Sequence, residues 1–226
     1  MNILERHEKF EMEVLEAMRK GNLLDPIVFG GGTMLRLCHQ LQRYSVDLDF
    51  FLKEPSKNFH AHFERMREVL SGLGWEITDA AEKHYSWLLE LRRSGAPRKL
   101  KIEIRKDDKR AKDREIAIAF SPFVPTIQVR LTVCTLRQMW ENKVEALIDR
   151  KEIRDAYDLE FLLRRGVADL KKTDRGTLNK LKESLKIFRP EDFTSKLGSL
   201  LPAEEKKVYA GFRFTLLEGA IEQALS

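Results

Sequence analysis

Three observations predict an α/β (α+β) protein, a β-sheet core flanked by helices and followed by a helical C-terminal domain. A short apolar strand, Ile27 to Phe29, runs through three glycines into an apolar-rich helical segment. Between residues 75 and 132, five short segments carry strand patterning, several of them with period two. From Thr135 almost to the end the spacing turns helical, which sets domains of 1–134 and 135–226 on the change of periodicity alone.

Each element follows from its own residues. Ile3, His7, Phe10, Val14 and Met18, with Leu4 and Leu15, form one stripe of an opening helix that Gly21 to Pro26 end. After the strand at 27–29, Gly30, Gly31 and Gly32 lead into Thr33 and the helical MLRLCHQL. VDLDFFL, residues 46–52, alternates Asp47 and Asp49 with Val46, Leu48 and Phe50, as the two faces of a strand would. A helix is expected from about Asn58 to Ser71. Strands follow at Trp75 to Thr78, Ser86 to Arg92, Leu100 to Arg105, Glu115 to Ile118 and Thr126 to Thr132, joined by hairpins. Helical spacing then returns in LRQMWENKVEALIDR, RDAYDLEFLLRR, GTLNKLKESLKIF and EEKKVYAGFRFTLLEGAIEQAL.

Composition narrows the function classes. With 226 residues, 42% hydrophobic and 34% charged, the chain can bury a core and is not a disordered polyelectrolyte. No apolar run approaches the roughly 18 residues that span a bilayer, and the acidic, amphipathic N-terminus lacks a signal-peptide stretch, so a cytoplasmic protein without a membrane partner is expected. Cys38 and Cys134 stand far apart with no CxxC, which argues against a disulfide framework or zinc ribbon. His60 and His62 form an HxH without a further ligand at metal spacing. The net charge of +5 is unevenly spread: Arg92 to Arg114 holds eleven Lys/Arg against four Asp/Glu, and Arg164 to Arg189 nine against three. These windows are either solvated faces or a patch for a polyanion such as RNA or a nucleotide.

Two features could carry chemistry. Asp47 and Asp49, two apart on a strand, point to one face with backbones roughly 7 Å apart, a spacing that suits Mg²⁺ shared with substrate phosphates or an ordinary solvent-facing strand end. Upstream, the glycine turn opens a helix whose first N–H groups can take an anion or simply make a tight turn. It fits neither GxxxxGK[ST], lacking the Lys, nor GxGxxG, with Leu35 at the third glycine.

In combination, FGGGTMLRL followed by RYSVDLDFF resembles the AbiEii/AbiGii toxin family of nucleotidyltransferases, within the DNA polymerase β-like superfamily. Gly31, Gly32 and Thr33 stand at the family's GGT, and Arg43, Ser45, Asp47 and Asp49 at its RxSxDxD. A second block, KVEALIDRKEIRDAYDLEFLL, is similar to the family's downstream K...R...RDxxDL. If that stretch is one continuous helix, Lys143, Arg150, Arg154 and Asp158 share a stripe, whether as site residues or as a solvated charged face.

The resemblance implies a mixed β-sheet core and an active site in the cleft before the helical domain. It implies that Asp47 and Asp49 bind metal, Mg²⁺ or Mn²⁺, while Gly31, Gly32, Thr33 and Ser45 contact the phosphates of an NTP. Arg36 and Arg43 match as nucleotide-binding positions, as do Lys143, Arg150 and Arg154. Lys143 is the cation for the triphosphate, and Asp155 or Asp158 orients it or assists deprotonation of the acceptor. Polymerase β-like folds carry a third carboxylate on a later strand; Glu103 in KLKIEIR is the candidate, or else it is neutralised between Lys101 and Arg105, with Glu90 a weaker substitute. The implied reaction is transfer of a nucleoside monophosphate to a hydroxyl, by similarity a tRNA 3′ end, by the toxin of a toxin–antitoxin or phage-defence system with a separate antitoxin. Modification of a protein or small-molecule hydroxyl, and a non-catalytic nucleotide- or RNA-binding module, are the alternatives.

Overall fold

The computed structural model describes residues 1–54, 59–107, 109–168 and 170–226. Asn58, the expected first residue of a helix, lies outside the described residues, as do Asp108 and Asp169 of the two basic windows. The chain divides into two units, Met1–Thr135 and Leu136–Ser226.

In the first unit, helix α1 (Ile3–Lys20) starts at a capping box: the Glu5 N–H donates to the Asn2 side chain, and the Asn2 N–H donates to the Glu5 carboxylate. Such a cap contributes about 1 kcal/mol. The expected stripe is buried from His7 to Met18, but it is wider than the apolar residues alone. Ile3 is exposed, whereas His7, Glu8 and Glu11 are buried beside Phe10 and Val14. Seven strands follow, β1 (Ile27–Gly30), β2 (Asp47–Leu52), β3 (Glu76–Glu82), β4 (Ser86–Arg92), β5 (Leu100–Arg105), β6 (Arg114–Phe120) and β7 (Gln128–Cys134). Helix α2 (Gly31–His39) lies between β1 and β2, and α3 (Phe59–Ser71) follows β2.

The strands form one mixed sheet in the order β3-β4-β5-β2-β1-β7-β6. Strand β1 runs antiparallel to β2 and parallel to β7, and β2 runs parallel to β5. Hairpins account for β3–β4, β4–β5 and β6–β7, but the consecutive β5 and β6 are not neighbours. Three strands, β2, β1 and β7, separate them. Leu48, Phe50, Ile102 and Ile104 are wholly buried on β2 and β5 at the sheet's centre, and the chain reaches β6 by a crossover that periodicity alone could not reveal.

The second unit is helical: α4 (Leu136–Arg150), α5 (Ile153–Arg164), α6 (Arg175–Leu185), α7 (Ala203–Val208) and α8 (Thr215–Leu225), with a π-helical turn at Asp192–Leu197. The stretch from Lys143 to Asp158 is not one helix. Lys151 takes φ +52°, its N–H donating to the Leu147 carbonyl, and Glu152 is extended, so the chain folds back. The last segment also breaks, since Phe212 takes φ +54° and Tyr209 and Phe214 turn inward to stack with each other and on Tyr157 and Phe193. Buried Glu160 on α5 ties these ends together, accepting from the Tyr209 hydroxyl at 3.1 Å, from Arg164 at 2.9 Å and from the Leu217 N–H of α8 at 3.2 Å.

Replacing Glu160 by Ala strands a phenol and a helix N–H in the interior. Chemical denaturation is expected to show a loss of about 2–3 kcal/mol, with Glu160→Gln losing less.

Candidate active site

The parallel pairing of β2 with β5 puts Asp47 beside Lys101 and Asp49 beside Glu103. Register partners share a face, and the alternation that buries Leu48 and Ile102 leaves Asp47, Asp49, Lys101 and Glu103 half-buried on the other side. Lys101 Nζ lies 3.5 Å from Asp47 Oδ2 and 3.5 Å from Glu103 Oε2, while Arg105 Nε is 3.8 Å from Glu103 Oε1. Glu103 therefore stands next to Asp49 and between two cations at once.

The glycine turn is built onto this face. Gly31 begins α2 with φ +72°, a conformation that favours glycine, and a Cβ there would lie 2.2 Å from Asp49 Oδ2. A Cβ on Gly32 would lie 2.4 Å from the Arg43 guanidinium and 2.9 Å from Ser45 Oγ. Thr33, wholly buried, donates its hydroxyl to the Asp47 carbonyl at 2.6 Å. The N-cap of α2 is Gly30, which brings no capping side chain of its own. Gly31, Gly32, Thr33, Ser45, Asp47, Asp49 and Glu103 thus come together, with backbone N–H groups and the positive end of the helix dipole beside the carboxylates.

The two arginines lie deeper. Arg43 is buried and donates to the Tyr44 carbonyl at 3.0 Å, bracing the turn from below. Arg36 ion-pairs with buried Glu8, donates to the Leu41 and Gln42 carbonyls at 3.1 and 2.8 Å, and stacks over the Tyr44 ring. Its contacts hold the loop between α2 and β2, and none of these partners belongs to the acidic face.

A divalent metal would be hosted by oxygen donors here, and Asp47 with Asp49 supplies a hard pair of the kind Mg²⁺ shares with substrate phosphates. Among the described residues no three His, Cys, Asp or Glu side chains are drawn together as a closed metal site. Thiol chemistry has no support, because burial pushes the Cys38 and Cys134 thiols up to about 12.

In the helical unit the turn at Lys151 brings α5 back along α4, and Lys143 meets both acids of the RDxxD block. Its Nζ is 2.9 Å from Asp155 Oδ1 and 2.6 Å from Asp158 Oδ2, with both carboxylates wholly buried and the lysine 7% exposed. Arg150 clamps Asp155 with two bonds of 2.7 Å. Burial would raise the Asp155 carboxyl, but Lys143 and Arg150 outweigh it and hold the group well below the usual carboxylate range. Arg154 turns to Glu152, away from Asp158. Arg150 and Arg154 line an open pocket of about 600 Å³ with Lys151, Lys196, Ile187 and Phe188.

The sequence profile of the nucleotidyl transferase AbiEii toxins of type IV toxin–antitoxin systems matches residues 13–222, including the turn, the acidic strand and the helical hairpin. The chain belongs to that family. It is a nucleotidyltransferase of the AbiEii toxin type. Two solved structures share its fold: JHP933 from Helicobacter pylori, 19% identical over 93% of this chain and 91% of that one with a TM-score of 0.54, and the nucleotidyltransferase toxin MenT4 from Mycobacterium tuberculosis, 18% identical over 96% and 93% with a TM-score of 0.53. No curated protein matches this AbiEii-family sequence significantly. Among the described residues, no helix of the toxin is long and apolar enough to cross a membrane.

Sequence reasoning missed Lys101 as part of the toxin's acidic face, although the period-two pattern of KLKIEIR already put it beside Glu103. It also missed Glu8, which no helical stripe of apolar residues would assign to the interior.

Three outcomes follow for the AbiEii-type enzyme. Gly31→Ala is expected to displace the Asp49 carboxylate and lower transfer on the order of 100-fold, read by initial rates, with a retained circular dichroism spectrum. Lys143→Met removes a cation from two buried carboxylates and is expected to cost about 3 kcal/mol in denaturant unfolding. Since the folded Asp155 carboxyl lies below its ordinary value of 3.8, its stabilisation is complete above that pH and is lost as pH falls further. Wild type should therefore lose more stability than Asp155→Asn between pH 5 and pH 3, in the same unfolding assay.

Proposed function

We propose that the protein is a metal-dependent toxin that transfers a nucleoside monophosphate from an NTP to the 3′-terminal hydroxyl of an RNA, a tRNA by family resemblance. The observation that carries the reading is the seating of Asp49 against Gly31, which joins an acidic strand to a glycine-built helix N-terminus. Phosphates need donors and positive potential; a metal needs carboxylate oxygens. Both are offered within one turn.

In this reading Asp47 and Asp49 hold Mg²⁺ or Mn²⁺, and Glu103 is the third carboxylate on the neighbouring strand. When bound, the metal lowers the pKa of the acceptor hydroxyl and offsets charge on the leaving oxygen. Gly31, Gly32 and Thr33 present backbone N–H groups to the triphosphate, and Ser45 adds a hydroxyl. Arg36 and Arg43 support nucleotide binding from behind, by fixing the loop and the turn. The acceptor oxygen bonds to the α-phosphorus, the bond to the β-phosphate oxygen breaks, pyrophosphate leaves, and the hydroxyl proton passes to water.

Within the helical unit, Lys143 is assigned to the charge of the triphosphate, with Arg150 and Arg154 as further cations. Asp155, held ionised by two cations, is a poor base, so Asp155 and Asp158 act by orienting Lys143. The basic windows at 92–114 and 164–189 attract the RNA backbone. A cognate antitoxin silences the enzyme in the cytoplasm of a bacterium, as part of a toxin–antitoxin or phage-defence operon.

The test incubates the protein with each α-labelled NTP, Mg²⁺ and total tRNA, beside Asp47→Ala and Asp49→Ala. Label on RNA from wild type alone, with both variants folded and at least 100-fold slower, is the expected result. Activity that survives in a folded double variant would overturn the metal assignment. Label on protein or a small molecule in place of RNA would overturn the acceptor.

A further inference from the structure

Three carboxylates on two adjacent strands should repel one another, since like charges at neighbouring cross-strand positions are destabilising. Lys101 answers that repulsion. It stands beside Asp47 in register, two residues before Glu103 on the same face, and its ammonium lies 3.5 Å from an oxygen of each.

Lys101 and Lys143 each meet a pair of acids, but they differ in kind. Lys143 is 7% exposed and contacts Asp155 and Asp158 at 2.9 and 2.6 Å, within the range of direct charge-assisted hydrogen bonds. Lys101 is 36% exposed, and its distances exceed that range. A solvated lysine at such distances is weakly held and its flexible stem allows it to leave. The first pair is a fixed part of the interior, and the second is open to exchange.

We propose that Lys101 is the built-in counter-ion of the acidic face, occupying it when no metal is bound and released when a divalent ion arrives, so that metal affinity is set by this competition. The inference rests on the reading of Asp47 and Asp49 as metal carboxylates. An ammonium and a divalent cation both draw on Asp47, and with Arg105 also on the face, bringing them together sets four positive charges against three carboxylates. Entry of the ion and departure of the lysine are therefore one exchange. The same competition accounts for the acidic face not being drawn into a closed three-carboxylate site, because Lys101 and Arg105 hold Glu103 between them. It also gives the toxin a partly neutralised acidic face when metal is scarce.

The experiment uses the full chain stripped of metal with EDTA. Mn²⁺ binding is read from the electron paramagnetic resonance signal of the free ion for wild type, Lys101→Met, Lys101→Arg and Asp49→Asn. Lys101→Met is expected to bind Mn²⁺ about fivefold more tightly than wild type, with Lys101→Arg near wild type and Asp49→Asn without binding. Its metal-free melting temperature should fall, and Mn²⁺ should raise it by more than it raises that of wild type. In unmutated protein, amine acylation mapped to Lys101 by mass spectrometry should increase several-fold on adding Mn²⁺. Equal or weaker binding by Lys101→Met, with binding still lost in Asp49→Asn, would overturn the exchange and leave the metal reading standing. Unchanged labelling of Lys101 in protein shown to bind Mn²⁺ would overturn it too, whether or not the variants fold. Absence of Mn²⁺ binding in every protein would remove the metal reading and the exchange together.

Discussion

The structure of the first unit depends on the close approach of a helix start to a strand. At Gly31 and Gly32 there is no room for a side chain, because Asp49 fills the place of one Cβ and Arg43 with Ser45 that of the other. The Thr33 hydroxyl then fastens the same turn to the Asp47 carbonyl. Three consecutive residues thereby fix α2 on β2, and every functional group near them takes its position from that contact. β1 ends at Gly30 opposite Asp49, so the strand order at the sheet's centre and the position of the carboxylates have one cause.

Charge is handled differently in the two units. The helical hairpin holds Lys143 with two carboxylates in its interior at direct hydrogen-bond distances, and the half-exposed Arg150 closes on Asp155 from the solvent side. On the sheet, the corresponding groups face solvent at longer range. Desolvation explains the contrast: a buried ion that loses its partner is costly, whereas a half-exposed one is rescued by water. A rigid ion set maintains geometry, and an open one can accept a substrate's counter-ions.

Much of this was legible in the sequence where local chemistry decides. The GGT turn and DxD strand are read from residues within a span of twenty, and alternation alone puts Asp47 and Asp49 on one face. The β-segments were visible, but not their order, since period two says nothing about which strand crosses to which. Lys143 was singled out by the family's K...R...RDxxDL pattern, with a shared stripe only on the condition of one continuous helix, and its meeting with Asp155 and Asp158 arises from the break at Lys151. A left-handed residue other than glycine leaves no trace in hydrophobic spacing. Glu8 and Glu11 were invisible for the opposite reason: a helical stripe assigns acids to solvent, and only tertiary partners reverse that assignment.

Those acids show how far the support of the acidic strand reaches. Glu8 accepts from the Ser121 hydroxyl at 2.6 Å and pairs with Arg36, which in turn holds the loop that leads into β2. One residue earlier, His7 Nε2 lies 2.9 Å from the Val46 carbonyl, next to Asp47 in the chain. A neutral imidazole meets that carbonyl as the N–H donor, and burial does lower the His7 pKa. Burial also raises that of Glu11, with Glu8 adding to the effect, which favours an uncharged acid beside the uncharged ring. Helix α1 therefore carries buried polar groups at the positions from which they can hold both the entry to β2 and the loop before it. Stability that apolar residues would have supplied at these positions is exchanged for a fixed location of the carboxylate strand.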